Sequence, residues 1–298
     1  MSYPTIKHGR VEWINLDRAR KRDLEKIADT FDISNEHRRA LFTRDHRSHV
    51  HESERYTLVC LVHPSYDQTT NDVQARELDV ILTKQVIVTI HHGHLLPISA
   101  HFKQAQSDTA LSCPIVIFGK LLHVLLTDAA DTLDHIASNI DAFEQRLFKP
   151  NGHGGLETIL HIQTNIIDTK KLLENQLYIV ERLLMTQTAR MRESFALQFR
   201  EIRNHQEELA HIIDTDLQAA QTLHHVLDAS IIERTNKLIR ALTVMTLVML
   251  PASLLSGIFG MNTNHPWILG VRYDFAIIIG LMMLTGVIIL LLIRSKKL

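Results

Sequence analysis

Two uncharged apolar stretches near the C-terminus decide what this chain can fold into. Ala241 to Asn262 (ALTVMTLVMLPASLLSGIFGMN) carries no charged side chain, and neither does Phe275 to Ile293 (FAIIIGLMMLTGVIILLLI). Each meets the roughly 20-residue length at which a helix crosses the hydrocarbon core of a bilayer. Buried helices of soluble proteins are rarely so long and so apolar on every side. The pair therefore reads as a membrane hairpin. Arg234, Lys237 and Arg240 precede the first span and Arg294, Lys296 and Lys297 follow the second, whereas the connecting loop holds Arg272 offset by Asp274. The positive-inside rule then expects both termini of a multi-pass membrane protein in the cytosol.

The two spans differ. In the first, Thr243, Thr246, Leu250, Ser253, Gly257 and Gly260 recur at steps of three and four, so small and hydroxyl-bearing groups share one helix face. The second has no such stripe. Lipid offers no hydrogen bonds, so a small or polar face in a membrane meets another helix or water. Tight helix packing and a water-filled path both satisfy that condition. One striped helix cannot enclose a channel, so the second reading requires several copies about an axis, with the featureless span outside against lipid.

The first span closes on Gly260-Met261-Asn262. Glycine removes Cβ bulk, and Asn262 would offer a ring of neutral amide oxygens, which suit hard or hydrated divalent cations. The residues stand as TNKLIRALTVMTLVMLPASLLSGIFGMN, followed by a short loop, a second span and a basic end. That assembly resembles the CorA-type (GMN-motif) family of divalent metal-ion transporters, most strongly over Thr235 to Leu298. The resemblance implies a funnel-shaped homopentamer: an N-terminal cytosolic α/β domain, a long helical stalk and two C-terminal transmembrane helices. It also implies that the first spans line the pore and that the GMN asparagines form its outer selectivity ring. Carried over by position, Asn262, Ser253, Leu250, Ile239 and Asn236 fall where the family lines its pore, with Thr246, Gly260 and Met261 on the same stripe and motif. One departure follows the GMN. Members with strong magnesium uptake carry an acidic, MPEL-like loop, whereas this chain has Thr263-Asn264-His265-Pro266-Trp267, and Asp274 is the sole carboxylate before the second span. An electrostatic term that concentrates cations at the mouth is thereby removed. His265 becomes a candidate metal ligand, since imidazole favours zinc over magnesium. Its rival role is that of an ordinary loop residue beside Trp267, an interfacial anchor.

Most of the 298 residues lie before the hairpin, and with 22% charged side chains they must form a soluble region. A net charge of −1 with both signs interspersed gives no reason to expect nucleic acid. The first apolar cluster is short and runs into RARKRDLEK, so no signal peptide is expected. Cys60 and Cys113 have no metal-ligand spacing and read as ordinary buried thiols.

Residues 1–111 read as a mixed α/β domain. Val11 to Leu16 is a strand ending at Asp17, Arg18 to Phe31 a helix with Leu24, Ile27 and Phe31 on one face, and Ser34 an N-cap for Asn35 to Phe42. Tyr56 to Val62, Leu78 to Leu82 and Val86 to Ile90 are strands by composition. The WINLD opening and the VIVTI run also resemble the family's cytosolic domain. No glycine-rich phosphate loop or nucleophile elbow occurs, so no enzyme is expected and no catalytic residue is assigned.

From Pro150 to Pro251 there is no intervening proline, and from Gly155 to Gly257 no glycine, so the main helix breakers are absent for about a hundred residues. Residues 112–194 are expected as antiparallel long helices, Val116 to Phe148 and Leu156 to about Ser194, joined at KPNGHGG. Residues 195–262 form a stalk helix that continues into the first span, 263–274 an external loop, 275–293 the second span and 294–298 a basic cytosolic end. At about 1.5 Å per residue, Phe195 to Gly257 reaches on the order of 95 Å, well past a ~30 Å bilayer core. Leu209, Ile213, Leu217, Ala220, Leu223, Leu227 and Ile231 mark its packed face. Pro251 withdraws a donor from the Leu247 carbonyl, which a gating kink and a mere packing kink both accommodate.

Two kinds of ligand-bearing side chain remain. Nineteen histidines include the groups His46, His49, His51 and His91, His92, His94, which could donate imidazole nitrogen but equally suit solvated loops. On the stalk stand Glu207, Glu208, Asp214, Asp216 and Asp228. The resemblance implies regulatory cations between cytosolic subunits, for which Asp214, Asp216 and Asp228 are candidate ligands. The expected activity is transport of Mg2+ or Zn2+ through a homo-oligomeric, most simply pentameric, pore in the lipid bilayer. The cation is cargo or regulator, and no resident cofactor is expected. The alternative is a membrane-anchored sensor or scaffold that keeps the fold without conducting.

Overall fold

The computed structural model describes residues 3–43, 48–91, 95–106, 113–149, 155–186, 189–260 and 273–295. The chain divides into two compact units, Met1–His224 and His225–Leu298.

The first unit is built on a six-stranded sheet of order β1-β2-β6-β5-β4-β3. Its strands are β1 (Thr5–His8), β2 (Val11–Asp17), β3 (His49–Glu52), β4 (Thr57–Asp67), β5 (Asp72–Leu82) and β6 (Val86–His91). Only β2 and β6 pair in parallel; the other neighbours are antiparallel. Successive side chains point to opposite faces of a strand. On one face Leu16, Leu58, Ile81, Val88 and Ile90 pack beneath Leu24, Ile27 and Leu41, carried by α1 (Lys21–Thr30) and α2 (Asn35–Phe42). The other face carries α4 (Pro114–Leu147) and α5 (Leu156–Thr186), with α3 (Leu96–Ala105) against β2 and α4. There Trp13 is buried, donates from Nε1 to Thr89 Oγ1 at 3.0 Å and meets Phe102 edge-on at 4.9 Å. A sheet covered on both faces explains why β4 is buried without interruption from Leu58 to Pro64.

The element ends follow local chemistry. Arg18 takes φ 53°, which breaks β2 from the helix and delays α1 to Lys21, where the sequence reading began it at Arg18. The Asp23 carboxylate then accepts the Arg20 N–H at 3.1 Å. Ser34 caps α2 as expected, its hydroxyl accepting from the His37 N–H at 3.3 Å. The strands β4 and β5 extend well beyond the apolar runs that announced them. The polar ends HPSYD and DVQARE pair in register from His63↔Arg76 to Asp67↔Asp72. Their turn is closed by Asp67 Oδ1, which accepts from the Thr69 N–H at 2.9 Å, and is pinned by Asn165 of α5, which accepts from Val73 N–H at 3.1 Å and donates to Asn71 O at 2.9 Å. His49 and His51 lie in the edge strand β3, not in a solvated loop, because Ser53 donates back to the Tyr56 carbonyl and folds HVHE onto β4. His91 ends β6 and is buried. His46, His92 and His94 lie outside the described residues, as does the Pro150–Gly154 part of the turn that joins α4 to α5.

The long helices are α4 (34 residues), α5 (31) and α6 (Ala189–Phe259, 71). α5 ends at Thr186 and α6 begins at Ala189, before the 194/195 boundary expected, with residues 187–188 outside the described residues. No glycine or proline marks the boundary, so the sequence held no signal for its place. Along α6, Leu209, Ile213, Ala220 and Leu223 are buried as the apolar face requires, and the burial ends at Ile231, which is 49% exposed. The second unit contains the rest of α6 and α7 (Asp274–Ser295). Both helices are long and apolar enough to cross a membrane.

Candidate transport path

Within the second unit α6 has two faces with different neighbours. Val244, Val248, Pro251, Ala252, Leu255 and Phe259 are half-buried; every other residue of α6 from Ala241 onward is exposed. In α7 the half-buried positions are Ile278, Met282, Thr285, Gly286, Ile289 and Ile293. Both sets repeat at steps of three and four, which is the seam of two packed helices. Gly286 sits at that seam: a Cβ on it would lie 3.6 Å from Val248 Cγ1. At about 100° per residue, Ile239, Thr246, Leu250, Ser253 and Gly257 fall on the side of α6 opposite Val248. The stripe is therefore the face that α7 leaves bare, and an open trough runs along it between Thr246 and Ile258.

The chemistry of that face is mixed. Thr243 and Thr246 donate their hydroxyls to the carbonyls of Ile239 and Leu242 at 2.8 and 2.9 Å, so neither needs a partner helix to satisfy its proton, while the oxygens remain acceptors. Leu250 and Ile239 stand 61% and 55% exposed. Pro251 lies inside α6, half-buried on the α7 side, so its ring does not belong to the stripe. Gly260 ends the span: its N–H bonds the Ser256 carbonyl at 2.9 Å, and a Cβ there would lie 2.9 Å from that same oxygen. Within the chain, the glycine of GMN is thus required by its own last helical turn. Asn236 is exposed on α6 one turn before Arg240. Met261, Asn262 and His265 lie outside the described residues.

The acidic candidates of α6 separate by environment. Asp214 lies 2.8 Å from Lys170 Nζ, and Glu207 lies 2.9 Å from Arg203, so both are paired. Asp228 and Glu208 are exposed. Asp216 is half-buried, and its carboxyl is raised above the usual range by burial first and then by Asp134 and Asp141 of α4. Its Oδ2 is buried without a hydrogen-bond partner among the described residues. The sequence reading did not single out Asp134 and Asp141. Their seven-residue spacing on α4, which puts both on one helix face, is the signal that could have found them.

The sequence pattern of the family described as "CorA-like Mg2+ transporter protein" matches residues 8–296. The chain belongs to this family. CorA-like proteins are channel-like membrane transporters of divalent cations, not enzymes, and they act as oligomers. The cobalt/magnesium transport protein CorA of Thermotoga maritima is 19% identical over 289 residues, covering 96% of this chain and 82% of that protein. Among solved structures, the complete CorA magnesium transporter of Methanocaldococcus jannaschii matches with a TM-score of 0.81 at 16% identity, over 96% of this chain and 90% of that one. The full-length CmaX protein matches with a TM-score of 0.78 at 16% identity, over 97% and 89%. At such identities the structural matches establish the fold, an α/β domain followed by long helices and two apolar C-terminal helices.

Proposed function

We propose that this chain assembles as a homopentamer in a bacterial inner membrane, termini in the cytosol, and passes Mg2+ or Zn2+ along an axis lined by the bare stripe of α6. The carrying observation is that α7 packs on the far side of α6, so Thr246, Leu250, Ser253 and Gly257 are left for water or for other copies. The small Ser253 and Gly257 on that bare face allow the close approach of another copy or a line of water. Asn262, next to the turn closed by Gly260, supplies the selecting amide oxygens, which can replace outer-shell water around a divalent ion without holding it too tightly to leave. His265 adds neutral imidazole near the mouth and tips the choice toward zinc. The cation is substrate, and no resident cofactor takes part. Asp216, facing Asp134 and Asp141, is the carboxylate that gains most from a regulatory cation, because a divalent charge offsets three crowded acids.

Flux into proteoliposomes over a panel of divalent cations tests the reading. Wild-type protein should give saturable flux, and Asn262→Ala should change its selectivity or reduce it by an order of magnitude, about 1.4 kcal/mol of barrier. Unchanged flux in the variant would remove the asparagine ring, and absent flux in the wild type would leave a membrane scaffold that keeps the fold. The missing acidic loop after GMN is the feature that favours that second outcome.

A further inference from the structure

Cys60, Glu77 and Asp79 stand together inside the sheet of the first unit, on strands that take no part in the span. Cys60 and Asp79 face each other across the β4–β5 ladder, and Glu77, opposite Val62, is two residues farther along β5 on the same face. All three are buried, with Cys60 and Asp79 each 1% exposed and Glu77 6%. One potential ligand atom from each lies within 4.8 Å of the other two, and Cys60 Sγ is 3.5 Å from Glu77 Oε1. Around a tetrahedral zinc with Zn–S of ~2.3 Å and Zn–O of ~2.0 Å, sulfur and oxygen ligands are separated by about 3.5 Å.

The cluster is poorly satisfied by the protein alone. Asp79 Oδ2 and Glu77 Oε2 are buried with no hydrogen-bond partner among the described residues. Native proteins seldom leave such atoms unpaired, because each costs about 1–3 kcal/mol. Burial first, then Glu77, pushes the Asp79 carboxyl up to about 8, and burial pushes the Cys60 thiol up as well, with Asp79 and Glu77 adding to it.

We propose that Cys60, Glu77 and Asp79 form a binding site for a borderline-soft divalent cation, zinc or cobalt, held within the α/β sheet and separate from the α6 path. The thiolate selects against magnesium and calcium, which require oxygen donors, and the two carboxylates supply the charge that a dication needs. Binding displaces the Cys60 thiol proton and the Asp79 carboxyl proton to solvent, and no electron is exchanged. Paired backbone holds the ligands, so the site forms with the sheet. A bound ion would lock β4 to β5 at the centre of the domain.

The test uses full-length protein in detergent, stripped with chelator and titrated with Co2+. A thiolate-to-cobalt charge-transfer absorption should appear at one ion per chain, persist in Cys113→Ser and vanish in Cys60→Ser. Asp79→Asn should weaken the cobalt titration at least about tenfold. Zinc should bleach the absorption and magnesium should leave it. Cobalt bound elsewhere in a cation transporter gives no thiolate signal, so failure of the transport reading does not affect this one. The absence of the absorption, or its survival in Cys60→Ser, overturns the site and leaves a buried thiol beside two buried carboxyl groups. Should either variant fail to fold, Cys113→Ser retains one thiol of the chain's two. Zinc should then slow the reaction of Cys60 with a thiol reagent under mild denaturant, and equal rates with and without zinc also overturn the site.

Discussion

At the scale of the residue, the imidazoles of β3 show how a histidine-rich sequence is used without a metal motif. His51 stacks on His37 at 4.6 Å between ring centres and meets His49 edge-on at 4.9 Å. His37 in turn bonds the Tyr56 hydroxyl at 2.8 Å. Burial, then His49 and His37, hold His51 below the ordinary histidine value; Glu36 opposes them and Arg182 adds to them. Because the folded value lies below the unfolded one, the unfolded chain binds more protons in the window beneath about pH 6.5. The contribution is present above that pH and is lost as pH falls through it. Wild-type protein should therefore lose thermal stability between pH 7 and 5, and His51→Gln should lose less. Equal losses in the two proteins, measured by their melting midpoints at both pH values, would show that the stack does not feel the protonation.

At the scale of the element, α6 carries two different designs on one helix. Its half-buried seam of Val244, Val248, Ala252 and Leu255 belongs to α7, and its opposite stripe belongs to whatever lies on the axis. Leu250 and Ile239 are the bulky apolar members of that stripe, and rings of such side chains exclude water and block ions by dewetting. Leu250→Ser should raise resting leak in proteoliposomes by an order of magnitude while leaving the seam with α7, and hence expression in the membrane, intact. A variant with wild-type leak would place the constriction elsewhere. The threonines make no such demand, since Thr243 and Thr246 are already satisfied by their own helix.

At the scale of the molecule, much of α6 in the second unit is left uncovered. Leu242, Met249, Leu250, Leu254 and Ile258 are all more than half exposed on α6, and α7 covers only one side. Lipid can receive the aliphatic side chains and the back-bonded threonines, whereas the exposed Ser253 and Gly257 suit the close approach of another copy of the chain, as proposed above. Native mass measurement in mild detergent should return an oligomer, with five chains expected from the family resemblance. In protein with Ser253→Cys, oxidation should yield disulfide-linked dimers, whereas Val248→Cys, turned toward α7, should yield few. A monomer throughout, or equal cross-linking at both positions, would contradict the axial placement of the stripe.

The periodic and compositional features were legible without coordinates. Two uncharged stretches of membrane length, a helix-breaker desert between them and the sheet, the Ser34 cap and the stripe on α6 all depend on residues near one another in sequence, where side-chain type alone sets the local preference. Long-range pairing was not legible. The ladder carried β4 and β5 through polar ends that composition marks as loop, because backbone hydrogen bonds to a partner strand outweigh side-chain propensity there. The same pairing made β3 from a histidine-rich loop candidate and brought Cys60 against Asp79 from 19 positions away in the chain. Asp216 met Asp134 and Asp141 only through the packing of helices whose relative rotation no single segment encodes. By itself, then, the sequence determined the membrane hairpin, the long helices and the striped face. Tertiary structure alone decided which side of α6 receives α7, and which thiol and carboxylates share one dry pocket, since burial and charge crowding arise only when distant segments exclude water together.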